Sequence, residues 1–136
     1  MNKPNSFNSQ SVIVIDDHIL FREGLVNFLN TTSDFRVVGQ AGTVGEGVKK
    51  AFHHKPNIIL MDFSLPDGTG LDATRGILDK MPNSRIIFLT INETNKSLLE
   101  AIRLGAMGYL LKNVSGASFI ASLRVLSQGK LAKNII

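Results

Sequence analysis

Three carboxylates, a hydroxyl and an amine stand out in this 136-residue chain: Asp16, Asp17, Asp62, Thr90 and Lys112. Each falls at or just past the end of a short apolar run, in SVIVIDD, NIILMD, RIIFLT and GYLLK. If those run ends converge, three like charges share one cleft and repel one another unless a cation neutralises them. A hard divalent ion that takes oxygen ligands in octahedral geometry meets that need, which points to Mg²⁺. Lys112 would add a fixed positive charge on the other side. A carboxylate beside Mg²⁺, a lysine and a hydroxyl is a poor acid or base but a good acceptor for a phosphoryl group. The metal and the amine stabilise charge on the equatorial oxygens while a carboxylate oxygen attacks in line. Asp62 is the expected attacking residue. Any one of these Asp residues alone could simply cap a turn; the argument rests on the five together.

The elements that must position them follow from the hydrophobic pattern. Strand-length apolar runs recur at 11–17, 35–41, 57–62, 85–90 and 108–112. Between them the apolar residues keep helical spacing, as in Ile19, Leu20, Leu25, Phe28 and Leu29, or Val44, Val48, Ala51 and Phe52. Strand and helix alternating five times requires crossover connections, hence a parallel sheet with helices on both faces. The expected fold is a doubly wound α/β domain with five parallel strands, whose ligands bind beyond the carboxyl ends of the strands. Local signals mark helix ends: Thr43 with Glu46 as a capping box, Ser115 as a cap for the last helix, Pro82 and Asn83 closing the third, and Gly105 at a helix C-terminus. Gly45 and Gly47 weaken the second helix by roughly 1 kcal/mol each relative to Ala.

Composition sets the outer limits. The length suits one domain with one core, and 43% hydrophobic with 19% charged residues is ordinary for a globular chain. There are no cysteines, so disulfides, thiolate metal sites and cysteine nucleophiles are excluded. The opening MNKPNSFNSQ holds no apolar segment of signal-peptide length and no stretch approaches membrane length, so a cytoplasmic location is the expectation. The net charge of +4 raises nucleic-acid binding, but the basic residues are scattered. Their densest group, Lys49, Lys50 and Lys55 around His53 and His54, has no interleaved aromatic residues and reads as a solvated helix face. Residues 1–10 read as a disordered tail.

These residues resemble the receiver domain of two-component response regulators over about residues 11–130, through DD at 16 and 17, MD at 61 and 62 followed by LPDGTG, LT at 89 and 90, and K at 112. VIDDHILFREGL, DFRVVGQAGT and GAMGYLLKN are similar to the NarL/FixJ (LuxR-type) subfamily in particular. The resemblance implies a flavodoxin-like sheet of order 2-1-3-4-5 and a set of roles. Asp62 would take a phosphoryl group from a sensor histidine kinase. Asp17, Asp62 and the backbone carbonyl of Ser64 would hold Mg²⁺, with Asp16 acting through a water. Lys112 would pair with the phosphate, Thr90 would swing its hydroxyl onto it, and Tyr109 would turn inward as part of the switch. Ser64 and Asn92 lie where the family tunes dephosphorylation. Homodimerisation on phosphorylation and DNA binding through a separate C-terminal helix-turn-helix domain are implied as well, with 131–136 read as the start of a linker to it. One departure is Asn113, where many receivers have a proline after the lysine; a cis bond is therefore not expected there.

Three other readings compete with this one. A haloacid-dehalogenase-type phosphatase also uses a strand-end Asp, but it needs a second Asp two residues on, where Ser64 stands. A flavodoxin-like cofactor carrier needs a phosphate loop after the first strand, and Asp16, Asp17 and His18 would repel a phosphate lacking a metal. A stand-alone receiver, relaying phosphate or regulating a partner protein without DNA binding, keeps the fold and changes the job. His18 is expected to line the site or cap the first helix rather than bind Mg²⁺, which prefers oxygen.

Overall fold

The computed structural model describes residues 9–91 and 96–128, for 96–98 the backbone alone. Asn92, residues 1–8 of the N-terminal segment and the 131–136 segment therefore lie outside the described residues. The elements run β1 (Gln10–Ile15), α1 (Ile19–Asn30), β2 (Phe35–Ala41), α2 (Val44–His54), β3 (Ile58–Asp62), β4 (Ser64–Leu65), β5 (Gly68–Thr69), α3 (Gly70–Lys80), β6 (Arg85–Thr90), α4 (Lys96–Arg103), β7 (Gly108–Leu111) and α5 (Gly116–Ser127). Five strands form one parallel sheet in the order β2-β1-β3-β6-β7, which is 2-1-3-4-5 when only the strands of that sheet are counted. The short antiparallel pair β4 and β5, absent from the pattern reading, folds the loop after β3 back on itself.

Alternation along the central strands divides the core in two. Val12, Val14, Ile58, Leu60, Ile87 and Leu89 face α1 and α5 through Leu25, Leu29, Phe119, Leu123 and Leu126. Ile13, Ile15, Ile59, Met61, Ile86 and Phe88 face α2, α3 and α4 through Ala51, Ala73, Ile77 and Ala101. The strands have no polar face because both faces are covered, which is why they read as unbroken apolar runs.

Helix ends follow the expected chemistry with two revisions. Thr43 accepts the Glu46 N–H at the start of α2, and Ser115 accepts the Ser118 N–H at the start of α5. The reciprocal capping box, however, belongs to Thr69 and Asp72 at α3. Gly47, which helix propensity alone counts as a weakness, is required by packing: a Cβ there would sit 2.6 Å from Ile15 Cδ1. Gly105 has φ +120°, the conformation a helix C-terminus asks of glycine. β1 begins at Gln10, whose N–H donates to Asp34 O at 2.8 Å, so regular structure reaches into the segment read as a tail. Peptide bonds among the described residues are trans, Lys112–Asn113 included.

Candidate functional site

β1 and β3 are adjacent and in register, Ile15 opposite Met61. Asp16 and Asp62 therefore emerge side by side at the carboxyl edge of the sheet, where helices of both faces diverge and a crevice opens. Asp16 is fully buried; its N–H stays in the ladder, bonded to Ala41 O at 2.9 Å. Its Oδ1 accepts the His18 N–H at 2.8 Å, which bends the chain from β1 into α1. Arg22 pins the same turn from α1, donating from Nη1 to Asp16 O at 2.6 Å and from Nε to Gln40 Oε1 at 3.0 Å. Asp17, one residue on, is left exposed at the rim.

Lys112 arrives from β7, whose ladder with β6 is continued by the Lys112 N–H to Thr90 O bond at 2.8 Å. Its Nζ lies 2.8 Å from Asp16 Oδ2 and 3.6 Å from Asp62 Oδ2, and 4.6 Å above the Phe21 ring. Asp62 Oδ1 accepts the Ser64 N–H at 3.3 Å. Asp62 Oδ2 is buried and lacks a hydrogen-bond donor; Lys112 Nζ and His18 Nδ1 each stop 3.6 Å away. Burial, and after it the charge of Asp16, push the Asp62 carboxyl up to about 6, while Lys112, the Ser64 N–H and His18 pull the other way.

One ligand atom from each of Asp16, Asp17, His18 and Asp62 falls within 4.8 Å of the others. A cleft of about 220 Å³ opens over them, lined by His18, Asp62, Phe63, Ser64, Thr90, Ile91 and Lys112. The fit to a cation is physical: three carboxylates meet one amine, and a buried carboxylate oxygen is left without a donor, so the ionised cluster is short of positive charge. Carboxylate oxygens are the donor set a hard divalent ion takes.

The site thus gathers Asp16, Asp17, Asp62, Lys112 and Thr90, the five residues singled out by type and position. Ser64 lines the cleft with its side chain exposed. Tyr109 is paired with Phe88 in the β6–β7 ladder, two positions before the Thr90–Leu111 pair, and is half-buried against the α2–α4 side of the core. His18 sits at the N-cap position of α1 but makes no side-chain cap bond; it lines the site. Pattern reading missed Asp67, whose carboxylate accepts the Val44 and Gly45 N–H groups at 2.7 and 3.0 Å and ties the loop after β3 to the N-terminus of α2. Those two bonds, Gly45's first, hold its carboxyl below the usual range. An Asp within a PDGTG turn looks like ordinary turn chemistry, so nothing local signalled a partner 22 residues away.

The chain belongs to the response regulator receiver domain family, whose pattern matches residues 12–124, which makes it a phosphoacceptor signalling domain rather than a catalytic enzyme. It is 34% identical over 119 residues to the DNA-binding transcriptional activator DevR/DosR of Mycobacterium tuberculosis, covering 88% of this chain and 55% of that protein. It is 35% identical over 120 residues to the oxygen regulatory protein NreC of Staphylococcus haemolyticus, with the same coverage of 88% and 55%. The chain thus spans about half the length of these curated relatives. Among solved structures, a two-component response regulator of the LuxR family from Aurantimonas superposes with a TM-score of 0.82 at 28% identity, over 89% of this chain and 86% of that one. A receiver domain implies a cognate histidine kinase. No helix among the described residues is long and apolar enough to cross a membrane.

Proposed function

We propose that Asp62 is the phosphoacceptor of a Mg²⁺-dependent switch. An Asp62 carboxylate oxygen attacks phosphorus of a phosphohistidine on a sensor histidine kinase; the P–O bond forms as the P–N bond breaks, and the freed imidazole takes up a proton. Asp17, Asp62 and the Ser64 carbonyl would hold the ion, with Asp16 acting through a water. When bound, Mg²⁺ would neutralise charge on the transferring oxygens. Lys112, drawn from Asp16, pairs with the new phosphate, and Thr90 brings its hydroxyl onto it. Tyr109 then repacks, which biases a two-state face toward homodimerisation. Ser64 and Asn92 set the lifetime of the phosphorylated state. The similarity to transcription regulators supports a DNA-binding output through a further domain of the whole protein, and a cytoplasmic location with it.

The observation that carries this reading is the buried Asp62 oxygen without a donor, facing both a lysine and the open cleft. Incubation with acetyl phosphate and Mg²⁺ followed by intact mass tests it. Wild type should gain about 80 Da, one phosphoryl group, only when the metal is present. Asp62→Asn should gain nothing, and full labelling of that variant would place the acceptor elsewhere.

A further inference from the structure

Of the carboxylates at the cleft, Asp17 is the one least fixed by its own side chain. It is exposed at the rim, and its sole ion pair among the described residues is a 3.7 Å approach of Oδ1 to His18 Nδ1, too long for a hydrogen bond. Where that carboxylate points is therefore set by the main chain it hangs from. The peptide joining Asp16 to Asp17 is planar, so whatever holds the Asp16 carbonyl also holds the bond leading to the Asp17 Cα.

Arg22 holds that carbonyl. Its Nη1 donates to Asp16 O at 2.6 Å while its Nε donates to Gln40 Oε1 at 3.0 Å, which fixes the planar guanidinium at two points, one on β1 and one on β2. Gln40 is tied down in turn, its main-chain carbonyl accepting from Lys50 Nζ of α2 at 2.5 Å. The chain just after β2 leaves room for the guanidinium: a Cβ at Gly42 would stand 3.1 Å from Arg22 Nη1 and 3.9 Å from the Asp17 Cα. A carbonyl oxygen is satisfied by any neutral donor. A half-buried arginine braced on a neighbouring strand and passing a glycine fixes direction as well. Its charge alone opposes the approach of a second cation, so positioning and charge predict opposite signs for its removal.

We propose that Arg22 is a positioning residue for the Mg²⁺-dependent phosphoryl transfer: by fixing the peptide between Asp16 and Asp17 it aims the Asp17 carboxylate at the ion. It acts through Asp17 and makes no bond of its own to metal or phosphate. The inference rests on the reading of the cleft as a cation site with Asp17 among its ligands.

The test is calorimetric Mg²⁺ titration of the 136-residue chain as wild type, Arg22→Met, Asp17→Asn and the double variant, at a temperature where thermal melts show each one folded. Met keeps most of the apolar stem and removes both hydrogen bonds. Loss of a group that orients a ligand should weaken Mg²⁺ about tenfold or more, as loss of the ligand itself does. Because the two residues act as a unit, the double variant should bind within about twofold of the weaker single variant, where independent effects would multiply to about a hundredfold. Gln40→Leu leaves the Arg22 charge in place and removes only its brace; it should weaken Mg²⁺ by a smaller factor, and it carries the test if Arg22→Met does not fold. Equal or tighter Mg²⁺ binding by Arg22→Met, the result charge alone predicts, overturns the proposal, and so does a double variant in which the two losses multiply. Wild type that binds no Mg²⁺ refutes the cation reading and the proposal with it, whereas binding weakened in Asp17→Asn but untouched in Arg22→Met refutes the Arg22 role alone.

Discussion

Replacing Asp62 by Asn should stabilise the metal-free protein, and by an amount that depends on pH. The Asp62 carboxyl is raised from its ordinary 3.8 to about 6, first by burial and next by Asp16. A carboxyl whose folded value lies above its unfolded one binds more protons when folded, so stability is highest while it is protonated and falls as pH rises from about 4 to about 6. Above that window the loss is complete. A shift of about 2 units corresponds to about 3 kcal/mol at most. The cleft opens to solvent, and water and counter-ions screen the ionised form, which reduces the expected loss to about 1.5 kcal/mol. Asn keeps the acceptor for the Ser64 N–H and carries no charge, so the variant escapes the loss. For a domain of this size that is about 5 °C in melting temperature. Thermal melts followed by circular dichroism in EDTA should show Asp62→Asn and wild type within a degree or so at pH 4, with the variant about 5 °C higher at pH 7.5. A variant that melts below wild type at pH 7.5, or a difference that does not change between the two pH values, would refute the electrostatic reasoning.

Further outcomes are expected from single substitutions. Lys112→Ala leaves the fully buried Asp16 carboxylate without its cation and should cost about 3 kcal/mol in metal-free stability. Its Mg²⁺ affinity by titration should not fall, whereas the conformational response to phosphorylation, read by amide NMR shifts around Tyr109, should be lost. Asp17→Asn should weaken Mg²⁺ binding about tenfold or more while leaving the fold intact, since Asp17 is exposed; equal affinity would remove it from the ligand set. Gly47→Ala gains roughly 1 kcal/mol of helix propensity but drives a methyl into Ile15, and overpacking of about 1 to 3 kcal/mol should win in denaturant titration. A stabilised Gly47→Ala would mean that α2 can move away from β1 at little cost.

Most of the sheet and the carboxylate part of the candidate site were legible because Asp16, Asp62 and Thr90 end strands that are buried on both faces. An apolar run such as IILM has no solvent-facing alternate, so the first polar side chain after it marks the sheet edge to within a residue. β7 illustrates the margin, with Gly108–Leu111 as the strand and Lys112 just beyond it. What escaped were contacts between segments distant in sequence. Asp67 reads as turn chemistry until α2 is seen beside it. Gly47 reads as a helix defect until Ile15 is seen beneath it. Thr43 and Glu46 read as a capping box because Glu is the usual third residue, while at α3 the shorter Asp72 reaches back to Thr69 and closes the box.

The arrangement also explains how so much like charge is tolerated without a change of fold. The backbones of Asp16 and Asp62 are fixed by the sheet, as their side chains are by local bonds: the Asp16 N–H is bonded to Ala41 O, and Asp62 lies opposite Leu89 in the β3–β6 ladder. Moving the carboxylates apart would require breaking ladder bonds in the middle of a sheet whose central strands are fully buried. Those bonds and the apolar packing beneath them are worth more together than about 1.5 kcal/mol of repulsion. The repulsion therefore stays in the folded state as an unmet demand for positive charge. A bound cation, the Lys112 amine or a proton on Asp62 can each meet part of it, and each does so at the cost of the others. On the proposed function, competition among those three, set by fixed strand ends, would let a phosphoryl group on Asp62 redirect Lys112, which follows β7, the strand that carries Tyr109.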